Sequence, residues 1–351
     1  MTDPASLAIW PTSIPQREAW DAGVTGEPEL VADGVWAISS PTPISGLPCT
    51  LTYVLASSDG SLHVIDPGWG GDVGMEALTR SIERIGYSIG AIQTVVATHF
   101  HADHLGLCGA LRDEVGAQIL LSRTERAVLA QETAQSRAAV TEVQAQLDEW
   151  GVPEARRAEF GGAFGNAFGV TDIEPDRLIS HGDRLEFGGH TLEIVETPGH
   201  TEGHVCLIDH DRQHVYSGDH VLPRIFSGVG LGALPGSDAL NDYFTSLVNL
   251  ATVDEYEVLP GHEYRFRGLA ARRREIIHHH LQRTREVADL IPRLGNAPIW
   301  EYARQLSWTL TWGGMKGHSL QSALRQTERH KAFVLSGRAE PWLVSDSRSF
   351  S

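Results

Sequence analysis

The stretch Thr98-His99-Phe100-His101-Ala102-Asp103-His104-Leu105-Gly106 places four side chains that can bind a divalent metal within six positions. The apolar run Ile92–Ala97 precedes it and is typical of a buried strand, so the stretch falls on a strand-to-helix turn. Histidine and carboxylate ligands at this density suit zinc or a similar borderline ion. The sequence therefore predicts a metal site at the end of this strand.

Further ligand-type residues follow later predicted strands, each after a glycine or a short turn. His200 comes after Thr191–Glu196, Asp219 after His214–Ser217, and His262 after Tyr256–Leu259. Side chains on one rim of a rigid scaffold can converge on a pair of metal ions. A lone histidine is usually a core or surface residue, but seven ligand-type residues in this order favour a metal centre.

The alternation of strand and helix patterns predicts an α/β fold. Two halves of similar layout fit two packed sheets with helices outside both, a four-layer αββα sandwich with a small, mostly helical C-terminal domain. The predicted strands include Leu30–Ser39, Leu51–Ala56, Ser61–Asp66, Gln118–Ser122, Arg184–Phe187 and Val205–Asp209, and the predicted helices include Val73–Ile85, Ala102–Val115 and Ala239–Thr252.

Composition shifts divide the chain into three predicted parts. Residues 1–29 form an N-terminal arm on the surface, and residues 30–265 form the main α/β domain with a helical insertion at about 123–176. Residues 266–351 form a helical C-terminal domain. Its helices are expected at Arg267–Leu290, ending near Pro292, at Ile299–Leu306 and at Leu320–Arg329.

The ligand pattern resembles the metallo-β-lactamase superfamily, whose HxHxDH signature stands at residues 99–104. Over residues 30–265 the family's remaining positions are matched by Asp66, His200, Asp219 and His262. The resemblance implies two zinc ions per chain, with Mn²⁺ or Fe²⁺ as alternatives. It also implies hydrolysis by a metal-bound hydroxide, with Asp103 accepting the proton. In the implied ligand scheme the first zinc is bound by His99, His101 and His200, the second by Asp103, His104 and His262, with Asp219 bridging and Asp66 orienting the site.

The motif leaves the substrate open. Asp219 stands where the antibiotic-hydrolysing branch has a cysteine ligand, which argues against that branch. Glyoxalase-like, thioesterase-like, lactonase-like and nuclease-like branches share the ligand set. The C-terminal segment is similar to the winged-helix-like domain of lactamase-like protein 2 relatives, which include endoribonucleases. Three functions follow: a hydrolase of a small thioester, ester or lactone, a metal-dependent phosphodiesterase or endoribonuclease, and a non-catalytic metal-binding protein.

Charge and cysteine content narrow the expected partners. The chain carries 28 basic and 45 acidic residues, for a formal charge of -17. This balance disfavours nonspecific binding to nucleic acid or anionic membranes, although a local basic groove stays compatible with it. Three cysteines without a CxxC motif give no disulfide framework. The N-terminus lacks signal-peptide features and no apolar run is long enough for a membrane span, so we expect a cytoplasmic protein.

Residues around the metal ligands are candidates for substrate contact. The insertion is expected to act as a lid over the metals or as the surface of a homodimer. The helix with Arg272–Arg274 and His278–His280 presents either a clamp for a phosphate or CoA-like group or, as favoured here, a solvated face. The expected partner is a small-molecule substrate, and its candidate contacts are Arg224, Tyr264, Phe164, Phe168, Trp308 and Trp312.

Overall fold

All strands of the described residues lie before residue 268. The computed structural model describes residues 8–44, 46–136, 140–160, 172–232, 237–308 and 310–345. The strands in these ranges are β1 (Trp10–Pro11), β2 (Glu29–Ala32), β3 (Val35–Pro41), β4 (Cys49–Ala56), β5 (Leu62–Ile65), β6 (Ile92–Val96), β7 (Gln118–Ser122), β8 (Arg177–Ile179), β9 (Arg184–Glu186), β10 (Thr191–Glu196), β11 (Val205–Asp209), β12 (His214–Gly218), β13 (Glu257–Pro260) and β14 (Phe266–Arg267).

Helices connect the strands and make up the described C-terminal region. Short 3₁₀ turns extend several of them. The α-helices in the described ranges are α1 (Ile14–Asp21), α2 (Asp72–Arg84), α3 (Ala102–Leu105), α4 (Cys108–Val115), α5 (Arg123–Ser136), α6 (Val140–Glu149), α7 (Glu154–Arg157), α8 (Ala239–Asn249), α9 (Leu269–Leu294), α10 (Ile299–Ala303), α11 (Gly317–Leu335) and α12 (Ala339–Ser345).

Two seven-stranded sheets pack face to face and confirm the predicted sandwich. The N-terminal sheet has the strand order β2-β3-β4-β5-β6-β7-β8, and the C-terminal sheet has the order β1-β14-β13-β12-β11-β10-β9. Their inner faces bury apolar residues such as Leu51, Val96, Leu207 and Leu259 in one shared core. Helices α2 and α4 pack on the outside of the N-terminal sheet, and α8 and α9 on the outside of the C-terminal sheet.

Strand direction explains why the ligand-type residues meet at one edge. Strands β5 and β6 are parallel, and so are β12 and β13. Strand β10 runs antiparallel to β11, which runs antiparallel to β12, so β10 and β12 point the same way. Parallel strands end at the same edge of a sheet. The segments after β5, β6, β10, β12 and β13, which carry Asp66, Thr98–His104, His200, Asp219 and His262, therefore converge.

Two predicted elements are interrupted by glycines. The single strand expected at Leu30–Ser39 is two strands, because Gly34 has a φ of +71° and turns the chain between β2 and β3. The single helix expected at Ala102–Val115 breaks after α3 at Gly106. A Cβ on Gly106 would lie 2.4 Å from Gly70 N and 3.0 Å from Gly68 O, so the loop after β5 packs directly against the break.

The N-terminal residues are more structured than a surface arm. Strand β1 pairs with β14 at the edge of the C-terminal sheet. Ser13 caps helix α1 by accepting a hydrogen bond from Gln16 N at 3.1 Å, and both side chains are buried. Strand β1 thus extends the C-terminal sheet, and the capped helix α1 follows it directly. The domain boundary at residue 29 stays a prediction.

The C-terminal region is helical, as predicted. Helix α9 continues past the expected end and includes Pro292 in its last turn. Its residues Ile276 and Leu281 share a core with Val258 of β13, while Trp300 of α10 packs against Trp150, which follows α6 of the insertion. The described residues after β14 form helices and no strand, so the winged-helix resemblance extends to helices alone. The boundary at residue 266 stays a prediction. Within the described ranges, every helix is too short or too polar to cross a membrane.

Candidate metal centre

The loop after β6 delivers four ligand-type residues into the interior. Helix α3 begins at Ala102, so Asp103 and His104 lie in its first turn, while His99 and His101 precede it. Asp103, His104 and His99 are almost fully buried. The short helix therefore divides the HxHxDH motif into two pairs that face different neighbours.

The first ligand group consists of His99, His101 and His200. The Nδ1 of His101 lies 2.9 Å from His99 Nε2 and 3.1 Å from His200 Nε2. Two imidazole nitrogens on one tetrahedral zinc, each at ~2.1 Å, lie about 3.4 Å apart. The three nitrogens are therefore spaced closely enough to share one ion.

The second ligand group consists of Asp103, His104 and His262. The Oδ2 of Asp103 lies 3.2 Å from His262 Nε2 and 3.6 Å from His104 Nε2. These separations bracket the spacing expected for ligands of one tetrahedral ion. In each group the ligand atoms lie within 4.8 Å of one another.

Asp219 lies between the two groups. Its Oδ2 is 3.7 Å from His200 Nε2 in the first group. Its Oδ1 is 3.5 Å from both His104 Nε2 and His262 Nε2 in the second group. Each oxygen of this carboxylate thus faces a different group, which is the arrangement that a bridging ligand requires.

Hydrogen bonds on the far side of the imidazoles fix which nitrogen faces the centre. His200 Nδ1 donates to Gly228 O and His262 Nδ1 donates to Cys49 O, both at 2.8 Å. His104 Nδ1 donates to Asp66 Oδ2, also at 2.8 Å. With Nδ1 protonated in each ring, the Nε2 lone pair is left for a metal.

Asp66 orders the start of the motif. Its Oδ1 accepts from Thr98 N at 2.7 Å, and its Oδ2 accepts from Thr98 Oγ1 at 2.9 Å. Because the Thr98 hydroxyl donates to Asp66, it accepts from His99 Nδ1 at 3.0 Å. Asp66 has a φ of +53°, a left-handed conformation that costs a non-glycine residue energy. Its geometry fits the predicted orienting role.

Unpartnered buried atoms show that the donor set fits a metal ion. The Nε2 atoms of His104 and His262 and the Oδ1 of Asp219 are buried and have no hydrogen-bond partner among the described residues. Leaving buried polar atoms unpaired is costly, so such atoms normally have a ligand. All three converge on the second group, and nitrogen and carboxylate donors of this kind suit zinc.

The two groups differ in charge state. Burial and the neighbouring His200 lower the pKa of His101 to about 3, which keeps it a neutral ligand. Burial also lowers the pKa of His104, but the carboxylates of Asp103, Asp66 and Asp219 outweigh burial and raise it to about 9. A metal ion entering the second group must therefore displace a proton from His104.

Glycines at the strand ends leave room for the centre. A Cβ on Gly261 would lie 2.6 Å from Asp219 Oδ1 and 2.7 Å from His104 Cε1. Gly218 has a φ of +46°, and a Cβ there would lie 2.6 Å from Thr98 Oγ1. These two positions therefore require glycine for the ligands to approach each other.

A family model described as the metallo-beta-lactamase superfamily matches residues 48–262. The chain belongs to this superfamily. Among curated proteins, it is 28% identical over 241 residues to "Probable metallo-hydrolase YqjP" of Bacillus subtilis (strain 168), which covers 66% of this chain and 72% of that protein. It is 27% identical over 224 residues to a hydroxyacylglutathione hydrolase of Rhizobium etli, covering 62% of this chain and 67% of that protein.

Another curated protein matches a shorter stretch of the chain at higher sequence identity. The chain is 49% identical over 49 residues to the hydroxyacylglutathione hydrolase of Rhizobium meliloti (strain 1021), which covers 11% of this chain and 19% of that protein. This relative is therefore matched over less than a fifth of its length. Together the superfamily model and these relatives identify the chain as a hydrolase.

Solved structures share the fold at low sequence identity. A metallo-beta-lactamase family protein from Thermus thermophilus has a TM-score of 0.70 at 22% identity, covering 88% of this chain and 95% of that chain. A beta-lactamase domain protein from Burkholderia ambifaria has a TM-score of 0.69 at 22% identity, covering 95% and 94%. These two structures therefore share the fold of most of this chain.

Two of the predicted substrate contacts, Arg224 and Tyr264, lie next to each other. The Arg224 guanidinium is paired with Asp21 of α1 and Glu263, both at 2.8 Å, and its Cζ lies 5.2 Å from the Tyr264 ring centroid. Tyr264 is buried in the core beside α9. Arg224 therefore ties α1 to the segment after His262. A substrate role for Arg224 and Tyr264 stays a prediction.

The other predicted contacts lie in the helical part or outside the description. Trp308 and Trp312 are partly buried in the core shared by α10, α11 and the insertion, and the Arg283 guanidinium lies 3.9 Å from the Trp308 ring. None of their described contacts reaches the metal ligands. Phe164 and Phe168 lie outside the described residues, as does the Gly/Phe loop that contains them.

The predicted solvated arginine face is wrong for two of its three members. Arg272 is buried and donates to Leu222 O at 2.6 Å and Ile225 O at 2.8 Å. Arg273 is buried and forms an ion pair with Asp254 at 2.7 Å. These guanidinium groups support the segment after β12 and the end of α8. The alternative prediction is a clamp for a phosphate or CoA-like group. The guanidinium groups of Arg272 and Arg273 already have partners within the protein, which also disfavours this role.

Several residues at the centre were not among the predicted site residues. Ring centroids of Trp20 and His262 lie 6.2 Å apart, which brings α1 beside the second group. His204 is buried, and its Nε2 accepts from Asp219 N at 3.2 Å. The HxxxH spacing of His200 and His204 was the sequence signal for the latter. Trp20 had no such signal, because it lies in a polar N-terminal segment.

Proposed function

We propose that the chain is a dinuclear zinc hydrolase of small acyl thioesters. The observation that carries the proposal is the position of Asp219, whose two oxygens face two separate groups of ligand atoms. A purely structural site would have one closed set of four ligands, and a single catalytic ion would need only one group of three. Two groups of three donors joined by one carboxylate instead suit a pair of ions that both keep open positions.

The residues divide the chemical work between them. A bound zinc pair would supply a water of lowered pKa and would polarise the substrate carbonyl. Asp103 is buried, and its Oδ2 accepts from Thr50 Oγ1 at 3.3 Å, which holds the carboxylate beside the second group. In this position Asp103 can orient the attacking water and accept its proton. Asp219 keeps the two ligand groups at a fixed separation.

The preference for thioesters comes from the relatives. Three of the matched curated proteins are named hydroxyacylglutathione hydrolase, a name that describes cleavage of a thioester. Oxygen esters and lactones present the same carbonyl to a metal centre. They remain the comparison substrates against which thioester preference is measured.

The phosphodiesterase alternative has less support. The two buried arginines of α9, Arg272 and Arg273, have their guanidinium groups engaged by backbone carbonyls and carboxylates. The formal charge of -17 also disfavours a polyanionic substrate. A non-catalytic metal-binding protein is disfavoured by the complete donor set.

The test compares substrates on zinc-loaded protein. A hydroxyacylglutathione thioester, the matching oxygen ester, a lactone and a phosphodiester are assayed alongside metal analysis. We expect about two zinc ions per chain and the highest kcat/KM for the thioester, with on the order of 10² or more lost in Asp103→Asn. Asp113→Asn, at an exposed position on α4, is the matched control. Preferred cleavage of the phosphodiester, or two bound zinc ions without any turnover, would overturn the proposal.

A further inference from the structure

Glu125 carries a buried carboxyl group in the first turn of α5, where the helical insertion begins. Its side chain is fully inaccessible to solvent, although glutamate is among the residues that are rarely buried. Burial raises its pKa to about 8. Burying a carboxyl group costs folding free energy unless hydrogen bonds compensate for the lost contact with water.

One oxygen of Glu125 joins two distant loops. Its Oε1 accepts from Phe100 N at 2.8 Å and from Thr201 Oγ1 at 2.9 Å. Phe100 lies between His99 and His101, and Thr201 directly follows His200. The two bonds therefore attach to the immediate neighbours of all three members of the first ligand group.

The turn that carries Glu125 is held against the same loop by its backbone. Glu125 N donates to Ser122 Oγ at 3.0 Å, and Ser122 Oγ donates to Gly203 O at 2.6 Å. A Cβ on Gly203 would lie 2.1 Å from Glu125 N, so the two backbones are in direct contact. The carboxylate thus has little freedom to move away from the His200 loop.

Phe100 and Thr201 belong to segments from different sheets. Phe100 follows β6 of the N-terminal sheet, and Thr201 follows β10 of the C-terminal sheet. The separation of the first-group nitrogens therefore depends on how these two edges are held relative to each other. Glu125 forms hydrogen bonds to both sheet edges, at residues directly next to the ligands.

We propose that Glu125 is a positioning residue that sets the spacing of His99, His101 and His200 and so couples the insertion to metal affinity. This inference rests on the proposed metal centre, but it is independent of which bond the protein hydrolyses. Loss of the carboxylate frees the two loops to separate by small distances. The first ligand group then binds its ion less tightly, while the second group, held by Asp66 and Asp103, is affected less.

The test measures zinc affinity rather than turnover. Glu125→Ala, Glu125→Gln and the wild type are titrated with zinc against a chromophoric chelator, both alone and in a His262→Ala background. That background leaves the first group as the complete ligand set. Glu132→Gln is the matched control, because Glu132 lies two turns along the same helix and has a pKa raised by burial. Cobalt-substituted absorption spectra report the ligand geometry, and thermal melts of the metal-free proteins report folding.

We expect Glu125→Ala to weaken zinc binding at the first group by about 10- to 100-fold and to change the cobalt spectrum. Glu125→Gln should recover most of the affinity, because its amide oxygen can accept both hydrogen bonds. Wild-type affinity and spectrum in Glu125→Ala would overturn the proposal. So would equal losses in Glu132→Gln, or equal losses in Glu125→Ala and Glu125→Gln accompanied by unfolding of the metal-free proteins. None of these readouts depends on the substrate, so failure of the thioester assay would leave the result interpretable.

Discussion

Asp66 and His104 form a buried pair in which the imidazole Nδ1–H donates to the carboxylate Oδ2 at 2.8 Å. This bond keeps Nε2 of His104 directed at Asp103 and Asp219. The same carboxylate accepts both the amide and the hydroxyl of Thr98. Asp66, directly after β5, thus contacts His104 of the second group and, through Thr98, is linked to His99 of the first group.

Asp66→Asn is expected to weaken the second ligand group. An amide NH₂ facing His104 Nδ1 would favour the other tautomer and place a proton on Nε2, where the metal should bind. We expect zinc affinity at the second group to fall by about 10- to 100-fold. Stepwise zinc titration measures this, with Asp72→Asn at an exposed helix start as control. If Asp66→Asn bound both zinc ions with wild-type affinity, the orienting role of Asp66 would be contradicted.

Gly261→Ala should disrupt the centre without replacing a ligand. A Cβ there would meet Asp219 Oδ1 at 2.6 Å and His104 Cε1 at 2.7 Å, both well inside contact distance. The bridging carboxylate must then move, so we expect less than two zinc ions per chain and on the order of 10² lower activity. Metal analysis and kinetics test this against Gly313→Ala, where a Cβ would meet nothing within 4 Å. A fully loaded, active Gly261→Ala protein would show that the close approach is unimportant.

The pH dependence of stability should carry a contribution from Glu125. Burial raises its pKa from 4.5 to about 8, so the folded chain retains a proton that the unfolded chain releases. This contribution to stability is present below the unfolded pKa and is lost as pH rises through about 8. Between these values, metal-free Glu125→Gln should lose less stability with rising pH than the wild type, by about 1 kcal/mol per pH unit.

Denaturant unfolding of the chelator-treated proteins at several pH values measures this difference. Glu132→Gln supplies the control for removing a charge from the same helix. Parallel stability curves for the wild type and Glu125→Gln across this pH range would show that the Glu125 carboxyl titrates normally.

The sequence could predict the convergence of the ligands because the position of each strand along the chain is largely a local property of the sequence. Buried runs such as Ile92–Ala97 mark strands, and the residues directly after parallel strands share one edge. The structure brings His200, Asp219 and His262 beside residues 99–104 as expected, although what each residue does in catalysis stays a prediction. Cytoplasmic location and the oligomeric state also stay predictions.

Other features depended on contacts between distant segments. Glu125 stands in the sequence as an ordinary polar residue at a helix start, and only the folded chain shows Phe100 and Thr201 meeting at its oxygen. Trp20 lies more than 200 positions from His262, so no spacing rule connects them. Arg272 was expected to be solvated, because a run of charge usually marks an exposed helix face. Its burial is compensated by hydrogen bonds to backbone carbonyls of a distant segment, and local sequence cannot reveal such contacts.

The burial of Arg272 distinguishes a structural arginine from a substrate clamp. Its guanidinium donates to Leu222 O and Ile225 O, and its Cζ lies 4.5 Å from the Phe226 ring centroid. These contacts hold the segment after Asp219, whose carbonyl accepts a hydrogen bond from the Ser227 hydroxyl. We expect Arg272→Ala to lower the free energy of unfolding by about 3 kcal/mol, because it leaves buried carbonyls unpaired.

Arg274→Ala, on the more exposed side of α9, should change stability by less than about 0.5 kcal/mol. Denaturant unfolding measures both variants, and KM for an anionic thioester is compared with KM for a neutral ester. An arginine that holds the loop destabilises the protein when it is removed and shifts both KM values alike. A selective rise in KM for the anionic substrate, with unchanged stability, would instead assign Arg272 to substrate binding.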